Sequence, residues 1–125
     1  SRQNGERPMI LITAKNRKQL EANYLETQAS EISERNFDPR PVVKLFNPVG
    51  SQTWLLTEIE PGTNHAFGLC DMGMGSPELG YVSIDELAAL KLPFNMGIER
   101  DIHFEADLTI SEYAEQARYT GSIAA

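Results

Sequence analysis

Three apolar runs, residues 42–46, 53–60 and 66–72, follow one another with only Asn47-Pro48-Val49-Gly50 and Pro61-Gly62-Thr63-Asn64 as the main breaks. The runs are rich in β-branched and aromatic residues, which suit a pleated, half-buried surface. The breaks hold turn-forming residues. They are too short for a parallel crossover, which takes a dozen or more residues. The three runs therefore predict an antiparallel meander, and every other element has to pack around it.

The stretch that follows, residues 68–82, is dense in turn chemistry. Gly73, Gly75 and Gly80 give backbone freedom, and Pro77 fixes one φ. Asp71 and Glu78 stand at its two shoulders. Residues 79–82 predict a fourth strand. Ser83 with Glu86 three positions on is a capping box that opens a short helix ending before Pro93. Residues 98–104 predict a fifth strand. Thr109 with Glu112 is a second capping box, opening a helix through about Tyr119 that Gly121 stops.

Upstream, residues 9–12 predict a short strand or an anchor on the core. Thr13 is a good helix N-cap. Leu20, Tyr24, Gln28 and Ile32, with Leu25 beside them, predict an amphipathic helix over residues 14–33 with a narrow apolar stripe. Two prolines within residues 37–41 end it. The class is α+β: an antiparallel sheet of four to five strands, with the helices packed mainly on one face. The first and the C-terminal helix are expected to cover the apolar face together, through Leu20, Tyr24, Ile32, Ile110, Tyr113 and Ala117.

The chain has 125 residues, enough for one domain with a core and too few for two. That domain is read as residues 9–125. Residues 1–8 are polar and aperiodic, and read as a disordered or artificial tail before Met9. No apolar run approaches the ~18 residues of a membrane helix. The single cysteine, Cys70, fits a reducing cytoplasm and the parity of a packed core position. A net charge of −7 argues against nonspecific nucleic-acid binding, which rests on Lys and Arg. It suits solubility first, and is compatible with a basic protein partner or a surface that imitates nucleic acid.

Strand parity supplies a site argument. Along residues 98–104, Arg100 shares a face with Ile98, Ile102 and Phe104, while Glu99, Asp101, His103 and Glu105 take the other. Asp71 shares a face with Phe67 and Leu69. A charge on a buried face needs a partner. Arg100 is expected to pair with Asp71 or, failing that, with Glu58 or Glu78. Glu78, Glu99, Asp101, His103 and Glu105 are the candidate interaction surface, with Trp54 as a possible hot spot. Glu58, Glu60, Asp71, Glu78 and Asp101 carry oxygen donors for magnesium, but their spacing matches no metal signature. His65, Cys70 and His103 lack zinc spacing. No cofactor is implied, and no phosphate loop, since the glycine turn lacks a Gly-Lys-Ser/Thr ending. Lys15, Arg17 and Lys18 near the first helix start read as a solvated face before a phosphate grip.

Four blocks carry a family resemblance. They are Phe-Asp-Pro-Arg-Pro-Val-Val-Lys-Leu-Phe (37–46), Thr-Trp-Leu-Leu-Thr-Glu (53–58), Phe-Gly-Leu-Cys-Asp-Met-Gly-Met-Gly-Ser-Pro-Glu-Leu-Gly-Tyr-Val (67–82) and Ile-Glu-Arg-Asp (98–101). They resemble a family of small bacterial proteins, a domain of unknown function, carried on plasmids and integrative conjugative elements. The resemblance implies a mobile-element origin and a cytoplasmic setting. It transfers no catalytic residue. The function expected is a non-enzymatic accessory protein acting through protein–protein contact, in regulation, plasmid maintenance or defence evasion. One alternative is a metal-dependent enzyme on nucleic acid or nucleotides using Asp71 and Glu78. Another is a DNA-contacting accessory factor.

Overall fold

The structure, a computed structural model, describes residues 9–125, so the expected tail lies outside the described residues. Helix α1 (Ala14–Ile32) is followed by strands β1 (Val43–Phe46), β2 (Thr53–Ile59), β3 (His65–Asp71) and β4 (Glu78–Ser83). Helix α2 (Ile84–Ala89), a 3₁₀ turn at Pro93–Asn95, strand β5 (Glu99–Arg100) and helix α3 (Ile110–Thr120) complete it. The sheet order is β4-β3-β2-β1-β5, antiparallel throughout. The α+β class and the meander are as the sequence predicts.

The helix starts follow from side-chain caps. The hydroxyls of Thr13, Ser83 and Thr109 accept from the backbone N–H of Asn16, Glu86 and Glu112. At Thr109 the box is reciprocal, since Glu112 also accepts from the Thr109 N–H at 2.9 Å. Gly121 ends α3 at φ 81°, a left-handed conformation that favours glycine.

Register assigns the two faces of the sheet. Val43, Leu45, Trp54, Leu56, Ile59 and Ala66 form one buried cluster with Leu11, Leu20, Ile84, Leu87 and Ile98. Leu55 and Leu69, paired across β2 and β3, form the other with Ile110, Tyr113 and Ala117. Thus α2 and α3 serve opposite faces, and α1 contributes Leu20 to the first cluster, so the expectation that the helices share one face is corrected: inward side chains on both sides of β2 and β3 each need a cover. Ile32 is not part of the apolar stripe; it is 86% exposed at the last residue of α1. Segment 9–12 is an anchor rather than a strand, with Leu11 buried.

The predicted fifth strand is mostly turn. Only Glu99 and Arg100 pair with β1, and Phe104 N–H bonds back to the Asp101 carbonyl at 3.2 Å. Ile98 enters one cluster and Phe104 packs on the other. The period-2 argument fails beyond Arg100 because the chain bends out of the sheet there.

Candidate functional site

The site begins at an irregularity in β2. Leu56 pairs with Gly68, but Glu58 pairs with Phe67, so Thr57 is an extra residue in the ladder. Such a β-bulge re-aims the side chains beyond it. Without it, Glu58 would share the face of Trp54 and Leu56. With it, Ile59 joins Ala66 in the core and Glu58 turns to the face of Phe67. Thr57 is buried; its hydroxyl donates to the Phe67 carbonyl at 3.3 Å, and its own carbonyl accepts from the Asn23 side chain at 3.0 Å. Helix α1 is thereby held against the bulge.

Between α1 and the β3–β4 hairpin lies a cleft of about 480 Å³. Its walls include Tyr24, Thr27, Gln28 and Glu31 of α1, with Phe67 of β3 and Tyr81 of β4. Glu58, Glu60, His65 and Glu86 also line it. The Phe67 and Tyr81 rings meet edge to face, with centroids 5.0 Å apart. Burial pushes the Glu58 carboxyl above its ordinary range, the Thr27 hydroxyl bond at 2.5 Å opposes that, and the nearby Glu31 charge adds to it. Glu60 lies 3.8 Å from the exposed His65 imidazole. Among the described residues no lysine or arginine forms an ion pair with Glu31, Glu58, Glu60 or Glu86. Carboxylates beside aromatic rings, with no cationic partner among the described residues, are chemically suited to an ammonium or guanidinium group.

Residues 11–124 match the model of a protein family of unknown function, DUF2958. The chain belongs to this family. No curated protein and no solved structure matches it.

In this DUF2958 member the sequence-predicted residues scatter. Asp71 is buried and accepts from the Gly73 N–H at 2.8 Å and the Ile123 N–H at 3.0 Å. Arg100 is three strands away on β5, paired with Leu45 on the opposite face, and its guanidinium donates to the Ile10 carbonyl. The expected Asp71–Arg100 pair is therefore corrected: backbone amides, not a guanidinium, satisfy Asp71. The fallback partners fail too, since Glu58 is held by Thr27 and Glu78 lies on β4 at the far edge.

Asp71 and Glu78 do not converge either. Glu78 pairs with Cys70, so the two carboxylates belong to opposite faces. Among the described residues no three His, Cys, Asp or Glu side chains group as metal ligands. Trp54 is 2% exposed and belongs to the core, so it is corrected from hot spot to packing residue. Glu99, Asp101, His103 and Glu105 lie at the β5 edge, across the sheet from Glu78. Asp101 accepts from the His103 N–H at 2.9 Å and stands 3.7 Å from the Lys44 ammonium, which interrupts that acidic surface. Arg17 is tied to Glu21, the Thr63 carbonyl and the Asn64 side chain, so it braces the β2–β3 turn. Burial pushes the Cys70 thiol up, against a nucleophilic role.

Sequence reasoning missed the cleft. It offers Glu58 only as a fallback partner for Arg100 and Glu58 and Glu60 as oxygen donors, because a bulge leaves no mark on a period-2 pattern. The near-continuous apolar run Trp54-Leu55-Leu56 signals only that both faces of β2 are covered, and nothing in it marks Thr57 as the extra residue.

Proposed function

We propose that this protein is a non-enzymatic accessory of a mobile genetic element that binds a basic protein segment, taking a lysine or arginine side chain into the cleft beside the bulge. The observation that carries this is Glu58: a half-buried carboxylate with no cationic partner among the described residues, in the cleft that the Phe67–Tyr81 pair also lines. Leaving a carboxylate partly desolvated works against the fold, and an incoming cation would offset that penalty. The chain's acidity, with a net charge of −7, would speed the encounter with a basic partner. The resemblance to proteins of plasmids and conjugative elements supplies the setting, in which regulation, plasmid maintenance or defence evasion are the roles for such contact.

Fluorescence anisotropy with labelled hexalysine tests the cleft. Salt-sensitive binding is expected, weakened about tenfold by Glu58→Gln with Glu60→Gln. Charge reversal of Glu99 and Glu105, on the other edge, is the comparison. Equal weakening by both pairs, or binding indifferent to Glu58 and Glu60, would rule the reading out.

A further inference from the structure

We propose that the basic partner docks as an added β-strand along β4, with alternate side chains divided between the acidic cleft and an apolar groove on the opposite face. The proposal rests on the cleft reading above and goes beyond it in naming the partner's conformation and side-chain pattern.

The backbone comes first. A sheet has two edges, and an exposed edge is a template for another strand unless it is blunted. Here one edge is β5, only two residues long, with the Ile10 carbonyl and the Met9 sulfur held at Arg100. Such a short edge offers little ladder. The other edge is β4, six residues long and free of proline after Pro77. Among the described residues no strand pairs with its outer side. Its residues carry no lysine or arginine, and Tyr81 is 80% exposed.

The side chains come second. Register sets Leu79, Tyr81 and Ser83 on the face of Phe67, which is the cleft face, and Glu78, Gly80 and Val82 on the face of Ala66 and Cys70. On that second face a groove of about 850 Å³ runs between the strand and the segment after it, lined by Val82, Leu87, Leu90, Leu92 and the Met72 and Met74 side chains of the glycine turn. Tyr81, Val82, Ser83 and Glu86 border both cavities. A strand laid beside β4 would thus send the side chains level with Tyr81 and Ser83 toward the cleft carboxylates and the intervening ones toward a mainly apolar surface bordered by Glu78 and Glu86. The occupant fitting both is an extended segment of about six residues that alternates cationic and apolar side chains. Main-chain bonds supply affinity in this mode, and the alternate side chains supply choice. Gly80 leaves the groove side open, since a Cβ there would meet nothing within 4 Å.

The test uses the full chain and the peptide acetyl-Lys-Leu-Lys-Leu-Lys-Leu-amide, read by anisotropy and by amide hydrogen exchange. Expected are tighter binding than for hexalysine and slowed exchange at Leu79–Val82. N-methylation of alternate peptide amides should weaken binding about tenfold in one phase and little in the other, because only one set of amides faces β4. Gly80→Val, whose Cβ would meet nothing within 4 Å and whose methyls narrow the groove side, should weaken the Lys-Leu peptide more than hexalysine. If both methylated phases bind like the parent, or β4 exchange is unchanged on binding, strand addition is overturned. In that case Glu58-dependent hexalysine binding would leave the cleft reading standing. Hexalysine binding without Glu58 dependence would overturn the cleft reading, and the edge proposal with it.

Discussion

Thr27 of α1 donates its hydroxyl to Glu58 of β2 at 2.5 Å, joining the first helix to the residue that the bulge turns outward. The bond is made to a carboxyl whose pKa burial raises. A group with a raised folded-state pKa binds its proton more tightly folded than unfolded. Its contribution to stability grows as pH falls through that raised value and is lost at higher pH. Glu58→Gln keeps an acceptor for Thr27 and removes the charge. It should raise the melting temperature near neutral pH, and the gain should vanish below about pH 4, where the unfolded carboxyl is also protonated. Calorimetry across that range reads both, and a neutral-pH loss would contradict it.

Asp71 behaves as a clamp between the glycine turn and the end of the chain, through the Gly73 and Ile123 amides. Asp71→Ala strands both amides and should cost about 2–3 kcal/mol. Arg100→Ala should cost far less, and the double variant should show the simple sum, since the residues share no partner. A double-mutant cycle by urea denaturation measures the coupling. A coupling energy clearly different from zero would restore the ion pair.

Asp38 anchors the N-terminus of α3. Its carboxylate accepts from the Thr109 hydroxyl at 2.7 Å, the Ser111 N–H at 3.0 Å and the Ser111 hydroxyl. Partial burial pushes its pKa up, but these three bonds outweigh it and hold the group below the ordinary range. A lowered folded-state pKa gives stability that is present above the unfolded value and lost as pH falls through the folded one. Acid below about pH 4 should therefore loosen α3, and Asp38→Ala should cost about 1–2 kcal/mol near neutral pH. Amide exchange at the first turn of α3 follows both effects. Protection there that is unaltered by the substitution would count against the anchor.

Two glycines in adjacent strands should respond oppositely to alanine. At Gly68 a Cβ would lie 1.9 Å from the Leu55 carbonyl oxygen, a backbone atom that cannot move aside. Gly68→Ala should cost about 3 kcal/mol or more. Its cross-strand partner Gly80 has open space, and Gly80→Ala should be neutral or slightly stabilising. Melting temperatures of the two variants decide this.

Most of the architecture was legible because it rests on local chemistry. Caps at Thr13, Ser83 and Thr109 and the turns around Pro48, Gly62 and Gly73 each act within a few residues. What escaped is what depends on partners far along the chain. The bulge at Thr57 is set by Asn23 and by Phe67, neither of which marks its own strand pattern. The assignment of Asp71 to Arg100 followed from each charge needing a partner, yet backbone amides meet that need and are invisible in a sequence. Residues 98–104 alternate like a strand, but only Glu99 and Arg100 pair with β1, and after the Asp101 N–H bond to the Lys44 carbonyl the chain turns away.

The sheet order departs from chain order at one place. Strands β1 to β4 lie side by side as they are made, each pairing closing a short loop, while β5 must travel back across the sheet to reach β1. Short closures come early in folding because little chain entropy is spent on them. The meander can therefore pair its four strands without the last quarter of the chain, while Leu55 and Leu69 wait for α3 to cover them, and the two-residue β5, followed by α3, is the closing step. A ribosome emitting this protein would hold a nearly complete sheet, open at β4, before the segment that seals its other side has been synthesised.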